Sequence, residues 1–328
     1  MRRAAWLVVG VVVVLSAACA RDDRLSSDQA RLVPAEGAEV LVAESGGRLR
    51  PSSGVRTLGA GDRVKAAQGT AALLLSNGDR LELATGTEVQ LGEPVRLETG
   101  ALLLVPGTAR PLAVDAAGSS VMALGPARVT RDLAVTAASY RTGLRLESAG
   151  RRLRVPPLRQ ASIASLGEVP SEASPIVYDA ADGWDRTYLA DAAALATQLE
   201  TRSRGFTASL SRGAGRTAGF YRLLLPALEA EPGFDEALLS PDRPAGETLV
   251  GTAIALEGAG GTFATRFGEV FAFRGAGADW GLVALDQGVD DVPAIVATVD
   301  QAIGRAPLAF APPPSTRPTA PSSPAQPS

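Results

Sequence analysis

The chain is 328 residues long, 46% hydrophobic and carries a formal charge of -3, enough for about two ordinary domains with a real core. It has no histidine, one cysteine (Cys19) and, among 32 cationic side chains, one lysine (Lys65). Within the chain this excludes a Ser-His-Asp triad, an imidazole base, a histidine-bearing zinc site, an internal disulfide and a multi-cysteine cluster, and it gives no electrostatic reason to expect nucleic acid as a partner.

Met1-Arg2-Arg3 is a short positive segment, followed by an apolar run from Ala4 to Leu15 and the small residues Ser16 to Ala20. This is the layout of a secretory signal over residues 1–20, and its end reads in three ways. Ser16-Ala17-Ala18-Cys19 resembles a bacterial lipobox, with Cys19 as the lipidation site. Ala18-Cys19-Ala20 fits an A-x-A cleavage site that releases a secreted protein. The run also reaches the lower limit of an uncleaved membrane anchor. All three place residues 21 onward outside the cytoplasm, at the outer face of the cell membrane or beyond. Stable attachment through Cys19 needs several acyl chains, since one gives only marginal membrane binding.

Residues 21–38 read as a linker and residues 39–170 as an all-β unit. Leu81 and Leu83, Val89 and Leu91, then Val95 and Leu97 alternate with polar neighbours, as half-buried strands require. Asn77-Gly78 signals a tight hairpin turn of type I′. Gly61-Asp62-Arg63-Val64 with Gly69-Thr70 recurs 17 residues later as Gly78-Asp79-Arg80-Leu81 with Gly86-Thr87. Each copy reads turn, strand, turn, strand, so one copy is expected to make a hairpin or a solenoid coil. Asp62 and Asp79 as cation ligands would need further converging carboxylates, and no D-x-D-x-D-G run is present, so they are read as turn formers.

Four stretches, VRTLGAGDRV (55–64), AALLLSNGDRLEL (71–83), VRLETGALL (95–103) and LRLESAGRRLRV (144–155), resemble the FecR domain of bacterial envelope proteins over about 120 residues. The resemblance implies an extracytoplasmic β domain, sandwich-like or solenoid-like, that senses or binds something. Gly125-Pro126-Ala127-Arg128-Val129 departs from the family pattern by lacking its aromatic. Only Met1 to Arg3 precede the apolar run, so the family's cytoplasmic anti-sigma segment, and signalling through a sigma factor, are not implied.

Residues 176–308 change period and read as a helical domain. Tyr188, Ala192, Leu195 and Leu199 form the stripe of a helix from about Gly183 to Arg204, with Asp182 as N-cap, Asp185 in the first turn and Gly205 just past the end. Further helices are expected over Thr217–Ala230, interrupted at Pro226, from Pro244 to Leu256, from Thr262 to Phe273, and from an Asp291 cap to Arg305. Trp280 to Leu285 reads equally as strand or helix. Phe263, Phe267, Phe271 and Trp280 are read as core in preference to a sugar-stacking box. Residues 309–328 are a proline-rich, extended tail.

Glycine clusters at 258–261 and 275–277 lack the Lys-Ser/Thr of a phosphate loop, and no G-x-S-x-G elbow occurs. Paired carboxylates are the catalytic type that composition leaves open, but Asp182 with Asp185 and Asp290 with Asp291 read as helix caps. The expected fold class is therefore α+β in two domains, the β one FecR-like and followed by the helical one. The expected role is non-enzymatic binding or sensing of a protein or cell-wall polymer at the membrane, with no catalytic, metal or cofactor residues. The alternative role is an assembly component that docks a partner through its helices, and a carboxylate hydrolase ranks third.

Overall fold

Alternating burial organises the first half of the chain in a computed structural model that describes residues 25–164, 168–210, 217–238, 243–289 and 291–309. The strands are β1 (Ala30–Pro34), β2 (Glu39–Ala43), β3 (Arg50–Ser52), β4 (Arg56–Leu58), β5 (Arg63–Gln68), β6 (Ala71–Leu75), β7 (Arg80–Leu83), β8 (Glu88–Gln90) and β9 (Val95–Val105). They continue as β10 (Leu112–Ala116), β11 (Ser119–Ala123), β12 (Ala127–Arg131), β13 (Ala134–Ser139), β14 (Leu144–Ser148), β15 (Arg151–Val155), β16 (Arg159–Ala164) and β17 (Ser174–Pro175). The signal segment with Cys19 and the proline-rich stretch from residue 310 lie outside the described residues.

Two sheets share one strand. The inner sheet runs β4-β1-β6-β7-β9-β12-β13-β16-β17 and the outer sheet β3-β2-β5-β8-β9-β10-β11-β14-β15, antiparallel throughout except for β9 with β10. β9 enters in the outer sheet, where Leu97 pairs with Val89, and leaves in the inner one, where Leu102 pairs with Leu83 and Val129. It crosses at Gly100, which has a φ of 90° and where a Cβ would lie only 2.6 Å from the Thr87 Cα, so no side chain fits. Thr87 repairs the interrupted ladder: its buried hydroxyl donates to the Ala101 carbonyl and accepts from the Ala101 amide, both at 2.9 Å.

The 17-residue repeat makes neither a hairpin nor a coil; it makes a corner. The first copy runs from β5 in the outer sheet to β6 in the inner one, and the second returns from β7 to β8. A strand that leaves one sheet and enters the other must turn sharply, which is what Gly69-Thr70 and Gly86-Thr87 supply, with φ of 73° and 83° at the glycines. The β unit is therefore a sandwich. Asn77-Gly78 does turn a hairpin, but Gly78 alone has positive φ, and the pair Gly78 N to Leu75 O and Leu75 N to Asp79 O marks a three-residue loop with a bulge in place of type I′. β1 also lies inside the stretch read as a linker: Ala30 and Leu32 are buried on either side of the half-buried Arg31 and pair with both β4 and β6.

Seven α-helices follow among the described residues: α1 (Gly183–Ser209), α2 (Ala218–Leu224), α3 (Phe234–Leu238), α4 (Ala245–Glu257), α5 (Phe263–Gly275), α6 (Trp280–Asp286) and α7 (Val292–Ala309). α1 passes straight through Gly205, because Ser203 and Phe206 prolong its buried stripe and Gly205 faces outward. α2 stops before Pro226, which opens a 3-10 turn to Ala230. The ambiguous segment at Trp280 is helical, capped by Asp279 through the Leu282 amide, and α3 is a helix the periodicity did not show. α4 is buried on nearly all sides and packs with α1, α5 and α7. α6 lies so close to α1 that a Cβ at Gly281 would overlap the Ala192 carbonyl.

The result is three layers. The apolar residues between the sheets form one core, and the other face of the inner sheet contributes Leu103, Ala138, Tyr140, Leu158 and Ile176 to a second core shared with the helices.

Candidate functional site

The charged residues that the fold gathers lie on the seam between the inner sheet and the helices. α1 starts there because Asp182 caps it, accepting from the Trp184 and Asp185 amides at 2.7 and 3.2 Å. Asp185, third residue of the helix, is fully buried and has both oxygens engaged. Oδ1 accepts from the Tyr140 hydroxyl at 2.6 Å and from Arg128 Nη1 at 2.9 Å, and Oδ2 accepts from the Asp179 amide at 2.9 Å. Arg128 also donates to Asp182 at 2.6 Å, so one guanidinium on β12 holds both acids of the first turn. The Tyr140 ring stacks on Tyr188 with centroids 4.6 Å apart, and Trp184 Nε1 donates to Glu82 on β7 at 3.0 Å.

Burial pushes the Tyr140 hydroxyl far above its usual range, and the hydrogen bond to Asp185 acts in the same direction. Tyr140 therefore remains a donor at any ordinary pH. With every partner committed inside the cluster, its work is to seat α1 on the sheet.

Farther along the seam, Arg159 on β16 donates to Asp286 at the end of α6 at 2.9 Å and to the Pro157 carbonyl at 2.8 Å. Its guanidinium lies 3.8 Å from the centre of the Phe273 ring. Beside it opens a cleft of about 400 Å³, lined by Arg159, Glu269, Phe273, Asp286 and Gln287 together with two alanines. Gln287 is 6% exposed, and among the described residues its side-chain amide has no hydrogen-bond partner. A cleft with two carboxylates, an amide and an arginine already paired is equipped to hold a small polar group by hydrogen bonds.

The sequence-level candidates fall elsewhere. Asp62 accepts from the Ser45 and Gly59 amides and braces the turn from β4 to β5, and Asp79 accepts from the Gly107 amide and ties the β6–β7 hairpin to the segment after β9. Asp291 caps α7 through the Ala294 amide, and Asp290 lies outside the described residues. Phe263, Phe267, Phe271 and Trp280 are buried against one another. The loop at Gly260 and Gly261 offers carbonyls, both taken by Arg266, and not the ring of amides a phosphate requires. Capping rules locate Asp182 and Asp185 in the sequence but not their partners. Arg128 did leave a trace, a charge in the segment that departs from the FecR pattern, whereas Arg159, Asp286 and Gln287 left none.

No family model and no curated protein sequence matches the chain. Two crystal structures of a candidate anti-sigma factor from Parabacteroides distasonis are similar to part of it. The 1.65 Å structure aligns with a TM-score of 0.28 and 18% identity over 32% of this chain and 55% of that one. The 2.50 Å structure gives 0.27 and 18% over 31% and 54%. The chain thus spans about half the length of the solved structures it matches. No helix among the described residues is long and apolar enough to cross a membrane.

Proposed function

We propose that this protein is a FecR-like recognition module, exported and held at the outer face of the cell membrane through a lipid on Cys19, which binds a protein or cell-wall ligand there without turning it over. The observation that carries the reading is the seam. Buried charged groups that in an enzyme would face a substrate are spent on locking a helical layer to a sandwich, and the open cleft farther along the seam, beside Arg159, is lined for holding. The four FecR-like stretches support the family assignment by where they fall: the two Gly-Asp turns lead into sandwich corners, and VRLETGALL is the strand that joins the sheets.

Two experiments test the reading. Crosslinking in the native envelope, followed by detergent extraction, is expected to recover one stoichiometric protein partner, or the purified chain is expected to be retained on wall polymer. Recovery of neither overturns it, as does turnover of a wall polymer that is lost on replacing a single Asp or Glu. Labelling with a fatty-acid analogue is expected in the wild type and absent in Cys19→Ala; equal labelling of both removes the lipid anchor.

A further inference from the structure

Four strands end the two sheets among the described residues, and three are poor docking edges. β3 and β4 are three residues long, with Pro51 inside β3, and β17 is two residues ending in Pro175. The fourth, β15, is five residues long, free of proline, and pairs with β14 in unbroken register from Arg151 to Val155. Among the described residues no strand pairs with its other edge, so the backbone donors and acceptors on that side have no ladder partner.

The charged side chains around that edge are four arginines and one acid, Glu147. Arg145 on β14 and Arg154 on β15 are direct cross-strand partners, both exposed, and neither has an ion-pair partner among the described residues. Arg151 is likewise exposed and without an acid, and Arg152 pairs with Glu147 at 2.8 Å. Like charges directly opposite in a sheet cost stability. Edge strands do use charge to repel unwanted partners, but Arg152 and Arg154 on the edge suffice for that. Arg145 stands one strand in, where it guards nothing and only opposes Arg154. A cluster of free arginines in a chain of net charge -3 marks a place where a negative partner is meant to lie.

We propose that the free edge of β15 receives an extended acidic polypeptide as an added strand. This rests on the binding role above and names its ligand as a protein segment. The backbone supplies the ladder. The outward-facing Arg152 and Arg154, with Arg145 behind them, take carboxylates at alternate positions. The half-buried Leu153 takes an apolar residue between them. The pattern recognised is therefore acidic, apolar, acidic over the five residues that end at Pro156-Pro157.

The test uses the full chain in detergent and a fluorescent peptide of about seven residues with alternating glutamate and valine. Binding is expected, weakened by salt, and about tenfold weaker in the Arg145→Glu, Arg154→Glu double variant, as the loss of two exposed ion pairs implies. A peptide of the same composition with N-methylated alternate amides is expected not to bind. Equal binding of that peptide overturns the added strand, as does binding that the double variant leaves unchanged. Arginine-dependent binding of vesicles rich in phosphatidylglycerol, with no peptide binding, reassigns the patch to a membrane and also overturns it. Arg145→Ser, which removes the opposed charges, is expected to fold at least as stably as the wild type and to bind the peptide more weakly, so a loss of binding that unfolding of the double variant alone had caused would show as unchanged binding here. If the double variant still captures its protein in the native envelope, this proposal fails and the recognition role stands.

Discussion

The two cores of the molecule are made of different residues. Between the sheets every buried hydrophobic is alanine, valine, leucine or isoleucine, whereas the helical core holds Phe206, Phe220, Tyr221, Phe234, Phe263, Phe267, Phe271, Phe273 and Trp280. Sheets stack at a regular spacing of about 10 Å, and the pleat repeats the same gap at each position, so aliphatic side chains fill it. Helices of unequal length leave larger gaps of individual shape, and rings fill those in edge-to-face contacts such as Tyr221 with Phe234 and Phe271 with Trp280. Tyr140 belongs to the second group although it follows a strand: it stands on the helix-facing side of the inner sheet. A periodic interior is thus shared among many interchangeable residues, and an irregular one depends on a few large ones.

The most damaging way to test that contrast is at the join between the regions. Asp185→Ala leaves the Tyr140 hydroxyl without its acceptor and Arg128 with Asp182 alone in a largely buried place, and is expected to cost about 3–5 kcal/mol. Hydrogen exchange should then show the first turn of α1 opening while the sandwich amides stay protected; uniform loss of protection would mean the layers unfold as one.

Within the helical layer, Trp280→Ala is expected to cost about 3–5 kcal/mol in denaturant unfolding. Trp280→Phe should cost about 1 kcal/mol or less beyond its packing loss, because the buried Nε1 it removes has no partner among the described residues. A large penalty for the phenylalanine variant would reveal a bond to that nitrogen. In the sandwich, Thr87→Val keeps the shape but removes both bonds to Ala101, and the expected loss is about 1–3 kcal/mol. A neutral result there would mean the β9 crossing holds without its brace.

The smallest effect is the response to pH. With no histidine, no side chain has an ordinary pKa between about 5 and 8, so stability is expected to be flat across that window. Burial raises Tyr221 to about 12, above the value near 10 it has when unfolded. The unfolded chain therefore loses that proton first, and the stability present below pH 10 is lost as the pH rises toward 12. Thermal melts of Tyr221→Phe should show a shallower alkaline decline than the wild type, and an equal slope would assign the decline to other groups.

Local features were legible in the chain. Alternation marked β7, β8 and the start of β9, the apolar stripe marked α1, and Asp182 and Asp291 were recognisable as caps, because each acts on residues no more than four positions away. The tight turns were legible too, although the hairpin at Gly78 took a different type. Short helices without a full stripe, such as α3, were not.

Long-range partners were decided only in three dimensions. A repeat of glycine, aspartate and an aliphatic is compatible with a hairpin, a coil or a corner. The choice fell to the corner because β5 finds β8 in one sheet while β6 finds β7 in the other. The meeting of Arg128 with Asp185 spans 57 residues, and that of Arg159 with Asp286 spans 127. No period or spacing encodes such pairs: they follow from which face of a sheet each strand presents, and that is settled once the whole core has closed.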